Sequence, residues 1–345
     1  MRLGIYTDPH LGKNLTANTT PASRKLLKQA LFNHTLTCIE GMRADATVCA
    51  GDLLDKYSND ETTLLQALAV IDKTDLTLAG NHDVHSSKDA RGTMDVLAEL
   101  RPYDIVRTPF GELYYAVNEV EDYVVASIPH HTTQDLFERA LRNSAERVKG
   151  MVRTKILITH SNYECPFATD ETSLNLTKPM AKKLLENFDF IVLGHDHKHK
   201  TDFDGRLIVL GNVHPTGFGD ISDKYVVVFE DGQPKFGKVW DASEKYIEVT
   251  PREMEKVNPF VHQFVRITGK VKPAEMNQLA KDIKKLWSVT GGSIFAIRSE
   301  VKIDTGNTKA ASLDSSKGQM KLTDIIEAEL VENEELLKLW KEVSA

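Results

Sequence analysis

The chain has 345 residues, 41% hydrophobic and 27% charged, with 43 Lys and Arg against 50 Asp and Glu and a formal net charge of -7. Its length exceeds what one hydrophobic core ordinarily fills, so a large domain with additions is expected, and the acid excess excludes a protein that coats nucleic acid through its bulk surface. Three cysteines without CxxC spacing exclude a disulfide framework and a cysteine-ligated zinc site, and no apolar run approaches the roughly 18 residues of a membrane span.

From the N-terminus, Met1 and Arg2 lead straight into the strand-like LGIYT with no signal-peptide series, which predicts a cytoplasmic protein. Short apolar runs at 3–6, 46–49, 76–79, 156–158 and 190–193 have the length and the Ile, Leu and Val content of buried strands. Helical spacing fills the gaps, as in Leu26, Leu27, Ala30 and Leu31, then Leu64, Leu65, Leu68 and Ile71, then Met180, Leu184 and Phe188. Alternating strand, loop and helix predicts an α/β sandwich with its chemistry on loops beyond the carboxyl ends of the strands.

After a strand-rich stretch from Arg206 to Trp240, whose Asp231-Gly232 pair predicts a hairpin, the composition changes. The reading divides the chain into a main domain at 1–248, a small β-α-β cap at 249–303, a flexible polar linker at 304–320 and a C-terminal amphipathic helix at 321–345.

Each apolar run is followed or completed by a short motif: DPH at Asp8 to His10, GDLLD at Gly51 to Asp55, GNHD at Gly80 to Asp83, TH at Thr159 and His160, and GHDH at Gly194 to His197. A lone histidine or a lone GD means little. Together, Asp8, His10, Asp52, Asn81, His160, His195 and His197 offer carboxylate, amide and imidazole donors for two divalent cations, with Asp52 as the natural shared carboxylate.

These motifs resemble those of the calcineurin-like metallophosphoesterases: DxH, GDxxD, GNH(D/E), a later H and GHxH. The resemblance spans roughly residues 1–239 and implies a four-layer αββα sandwich with two mixed sheets. It also implies manganese, with magnesium as the alternative, at two positions. Asp8, His10, Asp52 and His197 would hold one ion, and Asp52, Asn81, His160 and His195 the other. His82 would stabilise the transition state and protonate the leaving oxygen, and Asp55 would orient His82 and favour its charged form. Of the remaining histidines, His131 and His214 are the candidates for substrate contact, while His34, His85, His130, His199 and His262 read as solvated.

Lys56 and Tyr57 after GDLLD, and Asp83 after GNH, disfavour the protein-phosphatase branch. The DPHLG opening, the GNVHPTGFGD loop and the order of domain, cap, linker and terminal helix resemble the SbcD-type recombination nucleases, phage or bacterial. That implies DNA as substrate, a homodimer, and an SbcC-like ABC ATPase docked on the C-terminal helix. Lys13, Arg24, Lys25, Lys88 and Arg91 are the nearby basic candidates. A small-molecule phosphodiesterase or nucleotidase is the alternative, and a non-catalytic scaffold a third reading that the full ligand set disfavours.

Overall fold

The apolar runs form strands buried on both faces, as their lack of polar alternation requires. The computed structural model describes residues 1–14, 21–84, 87, 90–165, 174–289 and 292–304, with the side chains of the first helix described from Lys28 onward. The chain opens with β1 (Arg2–Tyr6), α1 (Pro21–Met42), β2 (Ala46–Cys49), α2 (Glu61–Ile71), β3 (Leu76–Leu78), α3 (Thr93–Leu100) and β4 (Ile105–Val106). It continues through β5 (Ala116–Val120), β6 (Tyr123–Ile128), α4 (Gln134–Val148), β7 (Thr154–His160), β8 (Asn162–Tyr163), β9 (Asn175–Leu176), α5 (Lys178–Leu184), β10 (Phe190–Gly194), β11 (Lys200–Asp202) and β12 (Leu207–Val209). The hairpin β13 (Lys224–Glu230) and β14 (Gln233–Trp240) returns to the first sheet.

Two six-stranded mixed sheets result, ordered β14-β13-β1-β2-β3-β4 and β11-β12-β10-β7-β6-β5. They face each other through Leu3, Ile5, Val48 and Leu78 on one side and Val125, Ile156, Ile158 and Val192 on the other. The alternate residues point outward: Tyr6 and Cys49 meet Ile39, Val70 and Leu97 of α1 to α3, and Val124, Leu157 and Leu193 meet Phe137, Leu141 and Leu184 of α4 and α5. Period-two alternation thus builds the expected four layers. Truncating a wedge between the sheets such as Ile158 to Ala would cost about 2–5 kcal/mol.

Local chemistry agrees with this arrangement. Asp60, Thr133 and Thr177 cap α2, α4 and α5 by accepting from main-chain N–H groups, which satisfies donors that a helix start leaves unpaired. Asp231 and Gly232, with φ of 52° and 73°, make the left-handed turn that the Asp-Gly pair predicts.

The last described stretch holds α6 (Ala242–Lys245), β15 (Tyr246–Val249), β16 (Phe264–Ile267), β17 (Lys270–Val271), α7 (Met276–Trp287), β18 (Ala296–Ser299) and β19 (Lys302–Ile303). A parallel sheet β15-β16-β18 is covered by α7 through Leu279 and Ile283; β16, α7 and β18 follow in the predicted β-α-β order, and β15 is a further strand that the sequence reading did not include. The strand expected across 264–271 divides at Gly269, whose φ of 102° breaks the extended run. Trp240, Phe264 and Phe295 pack together with Leu31 between this sheet and the sandwich. Met1–Lys302 forms one compact unit and Ile303–Ala345 a second; the predicted tail helix at 321–345 and all but the first residue of the linker lie outside the described residues. Among the described residues no helix is long and apolar enough to cross a membrane.

Candidate metal centre

Asp8 and His10 follow β1, Asp52 and Asp55 follow β2, Asn81 and His82 follow β3, His160 ends β7, and His195 and His197 follow β10. Because β1, β2 and β3 are parallel neighbours in one sheet, and β7 and β10 in the other, these positions share one end of the sandwich. Pairing continues past the strands: Asp8 N–H donates to the Gly51 carbonyl at 3.0 Å, His10 N–H to that of Asp52 at 3.1 Å, and Leu11 N–H to that of Leu53 at 2.8 Å. The two aspartate loops are therefore held side by side.

Asp8, His10, Asp52 and His195 have φ of 53°, 43°, 49° and 89°. Such left-handed backbone costs a residue with a Cβ roughly 1–3 kcal/mol and persists only where surrounding bonds impose it. Glycine serves a different need at Gly51 and Gly80: a Cβ there would strike the His160 ring and the Asp52 carboxylate respectively.

Each aspartate has one oxygen tied down and one left for the site. Asp8 Oδ2 accepts from the Thr7 hydroxyl at 2.6 Å and from His195 N–H at 3.0 Å, and Asp52 Oδ1 accepts from His82 N–H at 2.9 Å. Asp8 Oδ1, buried and without a hydrogen-bond partner among the described residues, lies 3.8 Å from His10 Nε2, 3.9 Å from His197 Nε2 and 4.0 Å from His160 Nε2. Asp52 Oδ2 lies 3.8 Å from His10 Nε2 and 3.3 Å from His160 Nε2. His10 and His197 bring their Nε2 atoms to 3.1 Å, and Asn81 Oδ1 stands 3.2 Å from His160 Nε2 and 2.8 Å from His195 Nδ1.

Donors that share a cation at bonds of about 2.0–2.3 Å stand about 3–4 Å from one another, the spacing found here. The donors group as Asp8, His10 and His197, as His10, Asp52 and His82, and as Asp52, His160 and His195 with Asn81 beside them. Asp52 Oδ2 faces imidazoles of both groups. The unpartnered Asp8 oxygen, the two glycines and a mixed set of carboxylate, amide and imidazole donors all fit a pair of divalent cations.

The charges fit as well. Burial alone would raise Asp52, but His160, His10 and His82 hold its carboxyl well below the usual carboxylate range. Burial alone would lower His160, but Asp52 and Asp8 raise it to about 10. Burial pushes His10 and His195 down, so these rings are neutral donors. A cation bound beside His160 would take the place of its proton.

His82 stands at the rim with its side chain 41% exposed and Nε2 4.0 Å from Asp52 Oδ2. Its Nδ1 meets Asp55, but at the main-chain carbonyl, 2.7 Å away. The Asp55 carboxylate instead pairs with Lys13 Nζ at 2.7 Å and lies 3.8 Å from His10 Nδ1, because the loop turns that side chain toward β1. Asp55 thus positions His82 through its backbone rather than through the expected carboxylate.

Other histidines depart from the sequence reading. His131 and His214 are 0% exposed and engaged with main-chain groups, Pro129 and Tyr114 for the first, Pro215 and Pro9 for the second, so neither reaches a substrate. His130 is buried rather than solvated, and burial together with His160 pushes it down to about 3. His34 bonds the Val213 carbonyl at 2.9 Å, and His85 lies outside the described residues. Of the basic candidates, Lys13 is engaged by Asp55 and Arg91 by Glu99, while Arg24, Lys25 and Lys88 fall where side chains are not described.

Sequence reasoning gave no role to Asp83, whose buried carboxylate accepts from the N–H groups of Gly80, Leu53 and Leu54 and so ties the GDLLD loop to the GNHD loop. Burial and the nearby Asp52 push it up to about 8 against the N–H groups of Gly80 and Leu54 and the charge of His160. It also missed Thr7, Thr216, Asp220 and Lys224, which brace Asp8 and His197. Their signal is tertiary and leaves no periodic trace.

The family model of calcineurin-like phosphoesterases matches residues 1–199, and the chain belongs to that family. It is a metal-dependent phosphoester hydrolase by membership. Solved structures similar to it include a Thermus thermophilus protein (10% identity, 69% of this chain and 99% of that one, TM-score 0.42). Another is a Staphylococcus aureus protein assigned as a 5'-nucleotidase, in complex with alpha-ketoglutarate (14%, 69% and 52%, 0.43). A third is a purple acid phosphatase from yellow lupin seeds (15%, 69% and 51%, 0.39). No curated relative is similar enough to match the sequence.

Proposed function

We propose that this phosphoesterase is a manganese-dependent DNA nuclease, with exonuclease and endonuclease action, that processes DNA ends in recombination and repair together with an SbcC-like ABC ATPase. The carrying observation is local charge. Residues 249–303 contain ten Lys and Arg against five Asp and Glu, a balance of +5 inside a chain of net -7. On α7, Lys281, Lys284 and Lys285 recur at one-face helical spacing, are exposed, and form no ion pair among the described residues. A basic helix face attracts a phosphate backbone without reading sequence. A cleft of about 350 Å³ bordered by Asp83, Met94, Arg107, Phe110 and His130 adds room for substrate beyond the scissile phosphate.

Two divalent cations, if held by the donors above, would supply positive charge to the phosphoryl oxygens and lower the pKa of water for in-line attack. The chain's own residues do the rest. His82 Nδ1–H donates to the Asp55 carbonyl, which leaves Nε2 turned toward the centre to exchange a proton with the leaving oxygen. Asp83 and the zipped loops keep Asp52 fixed while charge develops. The homodimer and the docking of the ATPase on 321–345 rest on the likeness to SbcD-type nucleases.

Purified protein with manganese should shorten linear duplex DNA, faster with its ATPase, and chelation should stop it. If DNA ends stay intact while cyclic nucleotides or chromogenic diesters are cleaved, the small-molecule phosphodiesterase reading replaces this one.

A further inference from the structure

The side chains of Asp8, His10, Asp52 and His160 are between 0% and 2% exposed, whereas that of His197 is 29% exposed. A buried donor is held by packing; an imidazole at the rim must be held by bonds. His197 Nδ1 lies 3.1 Å from the Thr216 hydroxyl and 3.5 Å from Asp220 Oδ2, and that hydroxyl donates onward to Asp220 Oδ2 at 3.3 Å. This chain of bonds places the ring proton on Nδ1 and leaves the Nε2 lone pair facing His10 and Asp8.

Asp220 is itself braced. Its Oδ2 accepts from Asn212 Nδ2 at 2.7 Å and Thr216 N–H at 3.1 Å, and its Oδ1 from Lys224 Nζ at 2.6 Å. The Lys224 side chain is 0% exposed, and its ammonium also donates to the His197 carbonyl at 3.0 Å and the Ser222 hydroxyl at 3.2 Å, which uses all three of its protons. The β13–β14 register shifts at Lys224, an irregularity of the kind that re-aims a side chain. A buried ion pair adds little net stability over an apolar pair of the same shape. Its presence here is explained by what it touches: the ring of His197 through the carboxylate and the main chain of His197 through the ammonium.

We infer that Asp220 and Lys224, together with Thr216, are positioning residues that set the affinity of the cation position at Asp8, His10 and His197 separately from the position at Asp52, Asn81, His160 and His195. The inference rests on the two-cation reading of the site and not on DNA as the substrate. It predicts two ions of unequal sensitivity to the same loop.

Equilibrium dialysis of the full chain against manganese, read by elemental analysis, tests it. The unaltered protein should bind two ions. Thr216→Val, which leaves the ion pair in place, and the double variant Asp220→Asn with Lys224→Met, which removes both charges together, should each weaken one ion by about 10–100-fold and spare the other. Thr216→Ser, which keeps the hydroxyl, should bind as the unaltered protein does. A Thr216→Val or double variant that melts cooperatively yet holds both ions at full affinity, or weakens both equally, would overturn the inference. Should the double variant not fold, the two Thr216 variants decide alone. Absence of manganese from the unaltered protein would instead overturn the two-cation reading.

Discussion

At Asp8 and Asp52 the backbone takes a left-handed turn, and a main-chain N–H holds one carboxylate oxygen so that the other faces imidazoles. Most of these side chains have no freedom left to lose when a cation binds, which is the physical content of preorganisation. His82 is the contrast, exposed and held by one carbonyl, as suits a group that must meet substrate. His82→Ala should therefore leave two manganese ions per chain by elemental analysis while kcat on a phosphodiester falls by about 10²–10⁴. Loss of metal, or an unchanged kcat, would remove His82 from its assigned role. Asp55 shows what residue-level reading lacks: the motif places Asp55 within reach of His82, but only the turn decides which of its oxygens gets there.

Between elements, the site depends on four loops meeting, and buried polar residues join them. Asp83 joins the loops after β2 and β3, and His214 joins the 211–216 loop to Pro9 after β1 through a 2.9 Å bond. Burial pushes His214 down to about 4. The unfolded chain takes up that proton near pH 6.5, so between pH 6.5 and about 4 the folded state binds fewer protons and its stability falls as pH drops through that window. This contribution is present above pH 6.5, and about 3 kcal/mol of it is lost by pH 4. His214→Gln, which can keep the bond to Pro9, should flatten the fall in Tm across that interval. An equal fall in the variant would assign the acid sensitivity to other buried rings such as His130.

For the whole molecule, charge distinguishes the hydrolytic body from the expected docking tail. Met1–Lys302 is one compact unit that contains every candidate donor, while 321–345 carries three basic and seven acidic residues around Ile325, Leu336, Leu337 and Trp340. If the proposed SbcC-like ATPase docks on 321–345, a chain ending at Asp304 should bind manganese and cleave a small phosphodiester as the full chain does, but fail to retain that ATPase in a pull-down. Retained ATPase would mean that docking uses the body. Within the full chain, Leu337→Glu should give the same loss by placing a charge on the apolar stripe.

Sequence alone determined the five strands that lead into the motifs, and the motif residues themselves, because burial and strand-end placement act locally; β4 to β6 and β15 were not legible in it. The hairpin at Asp231 and Gly232 was legible for the same reason, since a left-handed turn needs particular residues at adjacent positions. The tertiary structure alone decided that Asp8 Oδ1 has no hydrogen-bond partner among the described residues, that His131 and His214 are sealed, and that Asp220 and Lys224 grip His197. Those facts depend on which atoms of distant loops approach within about 3 Å, the range over which a hydrogen bond acts. No spacing in a one-dimensional chain encodes that distance.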